Sequence, residues 1–348
     1  MLNWKVYREL NDDLIKAGLN TEKQIIDHWN RYGHKESRKI KITDAFPDFN
    51  LENYKHQNPN LILDNTTDYE LHYIISQKLK VIPNLKLAIV SIFKNESHIL
   101  EEWIEHYFRE GIDTIFLIDN GSTDNYIHVL KKYIDIGKVI LNIDNMRYAQ
   151  SNLYNKYYLE QTKKYDWVMV VDLDEFMYSR KLYGTIKDYL TLVPSNVDQI
   201  YVPWKFFGSN GHLIQPDSVI QGFTKRITGN KQVLGKTIVR CSKLKQLDIH
   251  ASLLNDTSGI RISSDNIIHA DPNNAMVDIS EDILKNSYLH LNHYAIQSWE
   301  WFKKIKMTRG DVTTPNHDNT RNENYFKSYD NNDKFDNELA TKIIVINT

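Results

Sequence analysis

Asp172, Asp174 and Glu175 stand together in "VVDLDEFMY", directly after the apolar run "WVMVV". Carboxylates this close repel one another unless a positive charge is shared among them, and a divalent metal ion is the simplest such charge. Asp172 and Asp174 are two positions apart, so an extended backbone carried one step past a strand turns both toward one cation. Oxygen ligands suit Mg²⁺ or Mn²⁺, ions that leave coordination positions for water and phosphate oxygens. Beside a diphosphate, such an ion stabilises the charge that develops on a leaving group. An Asp-x-Asp alone is common by chance; its place after a buried strand gives it weight.

The elements that must position these residues begin at Leu85. "LKLAIVSIF" is a short β-rich run, and "ESHILEEWIEHYFREG" sets Ile99, Trp103, Ile104, Tyr107 and Phe108 at helical spacing, with Gly111 as the stop. "TIFLIDNGSTD", "NYIHVLKKYIDIG", "KVILNI" and "AQSNLYNKYYLEQTKKY" continue the alternation, and "DWVMVVDLDEF" supplies a fourth strand, apolar enough to be central. Alternation of this kind predicts parallel strands with crossover helices. Ligands of open α/β sheets bind at the carboxyl ends of strands, where this chain writes "FKNES", "DNGSTD" and "DLDEF". No glycine-rich phosphate loop of the Walker or dinucleotide kind occurs, which argues against an ATPase or a nicotinamide enzyme. A phosphatase of the haloacid-dehalogenase type, with Asp172 as nucleophile and Asp174 as acid/base, is a competing reading. That motif ordinarily continues with Gly-Thr near a first strand, whereas Glu175-Phe176 follows the fourth.

Before this region lies an internal echo. "YRELNDDLI" from Tyr7 is answered by "YKHQNPNLI" from Tyr54, and His28-Trp29 by His72-Tyr73. Two helical units of roughly forty-five residues are expected, a small all-α module over 1–82 that packs on itself, on the main domain or on a second copy of the chain. The boundary is placed at "KVIPNLK" around Pro83, the main domain over 83–312, and a polar tail with a short docking element, "FDNELATKIIVIN", over 313–348.

"SIFKNESHILEEWIEHYFREGIDTIFLIDNGSTD" with "DWVMVVDLDEFMY" resembles the glycosyltransferases of the family 2 type, in particular the branch close to family 92. The likeness continues through "WKFFGSNGH", "KTIVR" and "NHYAIQSWEWFKKIKMTRGD", from about Leu85 to Asp311. The resemblance implies a GT-A fold, an α/β architecture with a Rossmann-like, mostly parallel sheet flanked by helices. It also implies a nucleotide-sugar donor, usually a UDP-sugar, and a transfer that inverts the anomeric centre. Carried over by position, Ser91, Lys94, Glu96 and Asp119 line the nucleotide pocket, Asp172 approaches the ribose and the metal, and Asp174 is the main metal ligand. Arg147 and Gln150 precede the helix that leads to the fourth strand, where either can reach the diphosphate or simply belong to a solvated loop. A further metal ligand comes from His250 or His293, with His250 preferred, and the general base from Glu175, Asp217 or Asp311. Trp204, Phe206, Phe207, Tyr294 and Trp299 offer aromatic faces for sugar rings or for the core. Lys303, Lys304, Lys306 and Arg309 read as a solvated helix face, from which Arg309 can close over the phosphates.

Composition bounds the partners. A net charge of −2 over 348 residues gives no reason to expect nucleic-acid binding. The single cysteine, Cys241, excludes an intramolecular disulfide, and neither a leader nor a membrane-spanning run is visible, so a cytoplasmic protein is expected. The expected partners are a nucleotide-sugar donor and a glycan or glycoprotein acceptor. The competing class is a catalytically silent sugar-nucleotide or glycan binder, which has no need of a metal triad.

Overall fold

The computed structural model describes residues 2–59, 61, 63, 65–80, 85–228, 231–256, 259–267, 276–309 and 320–347. Six helices lead the chain: α1 (Trp4–Leu10), α2 (Asp12–Lys16), α3 (Glu22–Arg31), α4 (Ile42–Ala45), α5 (Leu51–Gln57) and α6 (Thr66–Leu79). The echo in sequence is an echo in bonding. Asn3 caps α1 and Asn50 caps α5, each accepting from the backbone N–H three residues on, as Thr21 and Asn65 do for α3 and α6. The Asn11 amide donates to the Tyr7 carbonyl and the Asn58 amide to that of Tyr54. Tyr7 meets Trp29 edge-on at 79°, and Tyr54 meets Tyr73 at 88°. Leu71, Ile74 and Ile75 of α6 then pack with Val6 and Ile42 against Leu182 of the following domain, so the apolar face of this last long helix is buried there.

From Leu87 the chain alternates as its apolar runs require: β1 (Leu87–Phe93), α7 (Ser97–Arg109), β2 (Thr114–Asp119), α8 (Tyr126–Asp135), β3 (Val139–Ile143), α9 (Gln150–Thr162) and β4 (Trp167–Val170). These four strands are parallel in the order β3-β2-β1-β4. Their side chains divide by parity. Leu87 and Ile89 join Ile115 and Leu117 on the face covered by α7 and α8, whereas Ala88 and Val90 join Phe116 and Ile118 under α9. Beyond β4 the sheet turns antiparallel at the strand Lys231–Arg240 and continues through β6 (Val197–Phe206), the strand Leu289–His293 and β5 (Glu175–Ser179). The whole is the expected GT-A arrangement, with ten strands in this sheet among the described residues. The strands cross closely at Gly235, where a Cβ would lie 2.3 Å from the Val202 carbonyl oxygen.

The fourth strand is shorter than its apolar run suggested. It ends at Val170, and a turn closed by the Glu175 N–H on the Asp172 carbonyl separates it from β5. The extended geometry therefore does not carry Asp172 and Asp174 to one side in the simple way expected. After Arg309 the chain returns at 320–347, where Glu323–Tyr329 and Glu338–Asn347 are helical. Asp330, Asp336, Glu338 and Lys342 tie this segment to Ser209, Lys205, Arg180 and Glu110, so the described part of the tail is fastened along the sheet by charge. No helix among the described residues is long and apolar enough to cross a membrane.

Candidate active site

The three polar strand ends interlock. The Ser122 hydroxyl accepts from the Asn95 N–H, the Asn95 side chain from the Thr123 N–H, and Asp124 from the Ser97 N–H, joining "FKNES" to "DNGSTD". Asn95 holds φ +55° and Gly121 φ +82°, the left-handed backbone that Asn and Gly adopt most readily. The third strand end is held from α7. Trp103 Nε1 donates to the carbonyls of Asp172 and Glu175, and the Tyr107 hydroxyl to that of Glu175. That is a physical reason for the Trp and Tyr of "EEWIEHY": they fix the backbone of the turn on which the two aspartates stand.

The turn opens on a cavity of about 340 Å³, lined by Lys94, Glu96 and Asn120 from the first two strand ends and by Arg147 and Gln150 from the start of α9. Asp172 and Asp174 line it from the turn, and Trp204, His250, His293, Lys306 and Arg309 from the later half. Asp172 is held on both oxygens: Gln150 donates to Oδ1 at 3.1 Å, and Lys236 Nζ lies 2.9 Å from Oδ2. Burial pushes its carboxyl up, but the adjacent Lys236 outweighs burial and leaves it below the usual value. Asp174 Oδ2 accepts from Lys306 Nζ at 2.5 Å, and its Oδ1 lies 3.5 Å from His293 Nε2. Burial again acts upward, and Lys306 and His293 together hold this carboxyl well below the ordinary range. The two aspartates are thus ionised, each beside its own lysine.

Glu175 has a different environment. It is fully buried, accepts from Trp204 Nε1 at 2.8 Å and from the Asp172 N–H at 3.0 Å, and does not line the cavity. Burial, reinforced by Asp172 and Asp174 against the pull of Lys236, raises its carboxyl well above the usual value. Its geometry is that of a support beneath the turn. Asp217 is exposed in the segment before Ser218 and does not line the cavity; Asp311 lies outside the described residues. Ser91 and Asp119 also sit behind the wall. Ser91 is buried in β1, while Asp119 accepts from the Ser122 N–H and the Tyr126 hydroxyl and so shapes the turn that presents Asn120. Glu96 is buried against Arg309 at 3.0 Å.

The histidines divide differently from the sequence preference. His293 faces Asp174, whereas His250 meets the Trp204 ring edge-on, its Nδ1 3.2 Å from the Gly235 carbonyl oxygen. Burial lowers the His293 pKa, favouring the neutral imidazole that a metal requires. Asp174, Glu175 and His293 each offer an atom within 4.8 Å of the others, and the buried His293 Nδ1 finds no hydrogen-bond partner among the described residues. Glu175 is engaged beneath the turn, so of these three the Asp174 carboxylate and the His293 imidazole face the cavity, a pair of donors that fits Mn²⁺. Lys236 and Lys306 were missed as site residues. The signal for Lys236 is a lysine inside the apolar strand "VLGKTIVR"; Lys306 reads in sequence as a solvated position and is instead 7% exposed. Arg321, Tyr325 and Tyr329, from the segment expected to be a polar tail, also line the cavity.

The chain is 24% identical over 232 residues to "Glycosyltransferase family 92 protein Os08g0121900" of Oryza sativa subsp. japonica, covering 62% of this chain and 34% of that protein. It is 24% identical over 225 residues to "Glycosyltransferase family 92 protein RCOM_0530710" of Ricinus communis, covering 63% and 37%. The chain thus spans about a third of the length of these curated relatives. Among solved structures, S. aureus TarS aligns with a TM-score of 0.35 at 16% identity, covering 66% of this chain and 40% of that one. TarS 1-349 in complex with UDP aligns with a TM-score of 0.33 at 15% identity, covering 52% and 62%. The family model described as Glycosyltransferase family 92 matches residues 88–332, from β1 past the cavity-lining Tyr329. Residues 88–332 are therefore a glycosyltransferase domain, which sets the phosphatase reading aside, and the chain belongs to glycosyltransferase family 92.

Proposed function

We propose that the chain is a metal-dependent, inverting glycosyltransferase that takes a UDP-linked sugar and passes the sugar to a hydroxyl of a glycan or glycoprotein. One observation carries this reading: Asp172 and Asp174 face a cavity that Lys94, Arg147, Lys306, Arg309 and Arg321 also line. Carboxylates for a metal and cations for phosphate oxygens are brought to the carboxyl end of a central parallel strand, where α/β sheets bind ligands.

Each residue has a part in this reading. Asp174 with His293 and Asp172 would hold the metal, which when bound neutralises negative charge on the diphosphate leaving group. Arg147, Arg309 and Arg321 bind and orient the diphosphate as fixed forks. Tyr148, Trp204 and Tyr325 offer flat apolar faces for the base and the sugar ring. Gln150 and Lys236 keep Asp172 turned into the cavity, and Glu175, through Trp204 and the Asp172 N–H, holds the turn rigid. Asp174→Ala tests the reading. UDP release from a UDP-sugar in the presence of Mn²⁺ is expected to fall at least about 100-fold, the scale of losing a main electrostatic stabiliser of a leaving group. Undiminished turnover would remove Asp174 from the metal site.

A further inference from the structure

We propose that Lys306 is the resident counterion of Asp174, and that it yields this carboxylate to the divalent cation and takes up the donor's diphosphate in exchange. The inference rests on the function proposed above and concerns the same cavity. Both aspartates already have cationic partners: Asp172 is held by Lys236 and Asp174 by Lys306. A dication entering between Asp174 and His293 would stand within a few ångströms of the Lys306 ammonium, and two cations sharing one carboxylate repel. One of them must give way.

The two lysines are not equally able to move. Lys236 lies within a strand paired on both sides, has no exposed surface, and also donates to the Ile249 carbonyl at 2.9 Å. Lys306 sits on a single 3₁₀ turn, Lys306–Thr308, at the cavity wall. Among the described residues its ammonium has one hydrogen bond, to Asp174, and it also faces the Trp301 ring at 5.7 Å. A lysine is a point charge on a flexible stem, suited to exchanging one anion for another. Among the described acidic residues that line the cavity, Glu96 is engaged by Arg309 and Asp172 by Lys236, so the anion left for the displaced ammonium is the diphosphate of the donor. Metal and nucleotide binding then support each other, because each relieves the charge that the other's arrival creates.

The test is calorimetric titration of Mn²⁺ alone into wild type, Lys306→Met, Lys306→Arg and Asp174→Asn proteins, with melting temperatures read with and without Mn²⁺. Lys306→Met is expected to bind Mn²⁺ at least about tenfold more tightly than wild type, a change of ~1.4 kcal/mol, and to gain more in melting temperature from Mn²⁺. Lys306→Arg, which keeps the charge, should stay near wild type. Should Lys306→Met not fold, Lys306→Gln makes the same comparison with the same outcomes. If Lys306→Met binds Mn²⁺ no more tightly than wild type while Asp174→Asn abolishes binding, the counterion proposal is overturned and the metal site stands. If Asp174→Asn leaves Mn²⁺ binding unchanged, the metal site itself falls, and this proposal with it.

Discussion

Replacing Lys236 by Met leaves the Asp172 carboxylate facing an apolar stem of similar length. Lys236 has no exposed surface, and it lies 2.9 Å from Asp172 and 3.6 Å from the equally buried Glu175. Burial alone would push its ammonium toward neutrality, but Asp172 and Glu175 outweigh burial and raise its pKa, so it is charged. Removing one partner of a buried ion pair costs about 3–5 kcal/mol. Two features of this site bring the expectation to the lower end. The Asp172 side chain is 31% exposed, so water screens part of its charge, and Glu175, with its raised pKa, can carry a proton. A loss of about 3 kcal/mol corresponds to roughly 6–12 °C in melting temperature for a domain of this size. Urea denaturation of Lys236→Met, Asp172→Asn and the double variant closes a cycle in which the double variant should recover at least about 1 kcal/mol. A Lys236→Met protein within about 0.5 kcal/mol of wild type, or a cycle with no coupling, would refute the assignment of Lys236 as the counterion of Asp172.

Three further outcomes are expected. Glu175→Gln reproduces the shape of a protonated carboxyl, so it should cost no more than about 1.5 kcal/mol and leave the acid limb of the pH–rate profile in place; loss of that limb would make Glu175 the base. Burial holds His106 down at about 3 and His290 at about 4, against ~6.5 when unfolded, so the unfolded chain binds more protons between these values. Stability should therefore fall on acidification below pH ~6.5, by up to about 1.4 kcal/mol per pH unit for each histidine, and His106→Asn should flatten the slope by about one proton; an unchanged slope would contradict this. Asp336→Ala strips the shared carboxylate from the buried Lys205 and from Arg226, at 2.9 and 2.6 Å, and is expected to cost about 3–5 kcal/mol in thermal unfolding. An unchanged melting temperature would show the tail to be dispensable.

The alternation from Leu87 to Val170 was legible because its signal is local: apolar runs of strand length and the spacing of Ile99, Trp103, Ile104 and Tyr107 on one helix face. The carboxyl ends of the strands were legible for the same reason, since Asn, Ser, Asp and Gly cluster where the backbone must turn. What surrounds the aspartates was not. Lys236 and Lys306 are 64 and 132 residues from their partners, and no local pattern reports such a pairing. Glu175 looked like a third member of the acidic group, but the turn after Val170 starts a new strand and sends it into the core. The sequence favours His250 over His293; it is the pairing of Leu289–His293 with β5 that places His293 opposite Glu175 and beside Asp174. Tyr325 and Tyr329 reach the cavity because the charges of the later tail fasten it to the sheet, again a long-range effect.

The most direct measurement is calorimetric titration of the wild-type protein and of Asp174→Asn with UDP-, GDP- and CMP-linked sugars, with and without Mn²⁺. Binding of one UDP-sugar that requires Mn²⁺ and disappears in Asp174→Asn is the predicted result; binding of none of the donors, or binding that persists unchanged in Asp174→Asn, would contradict it.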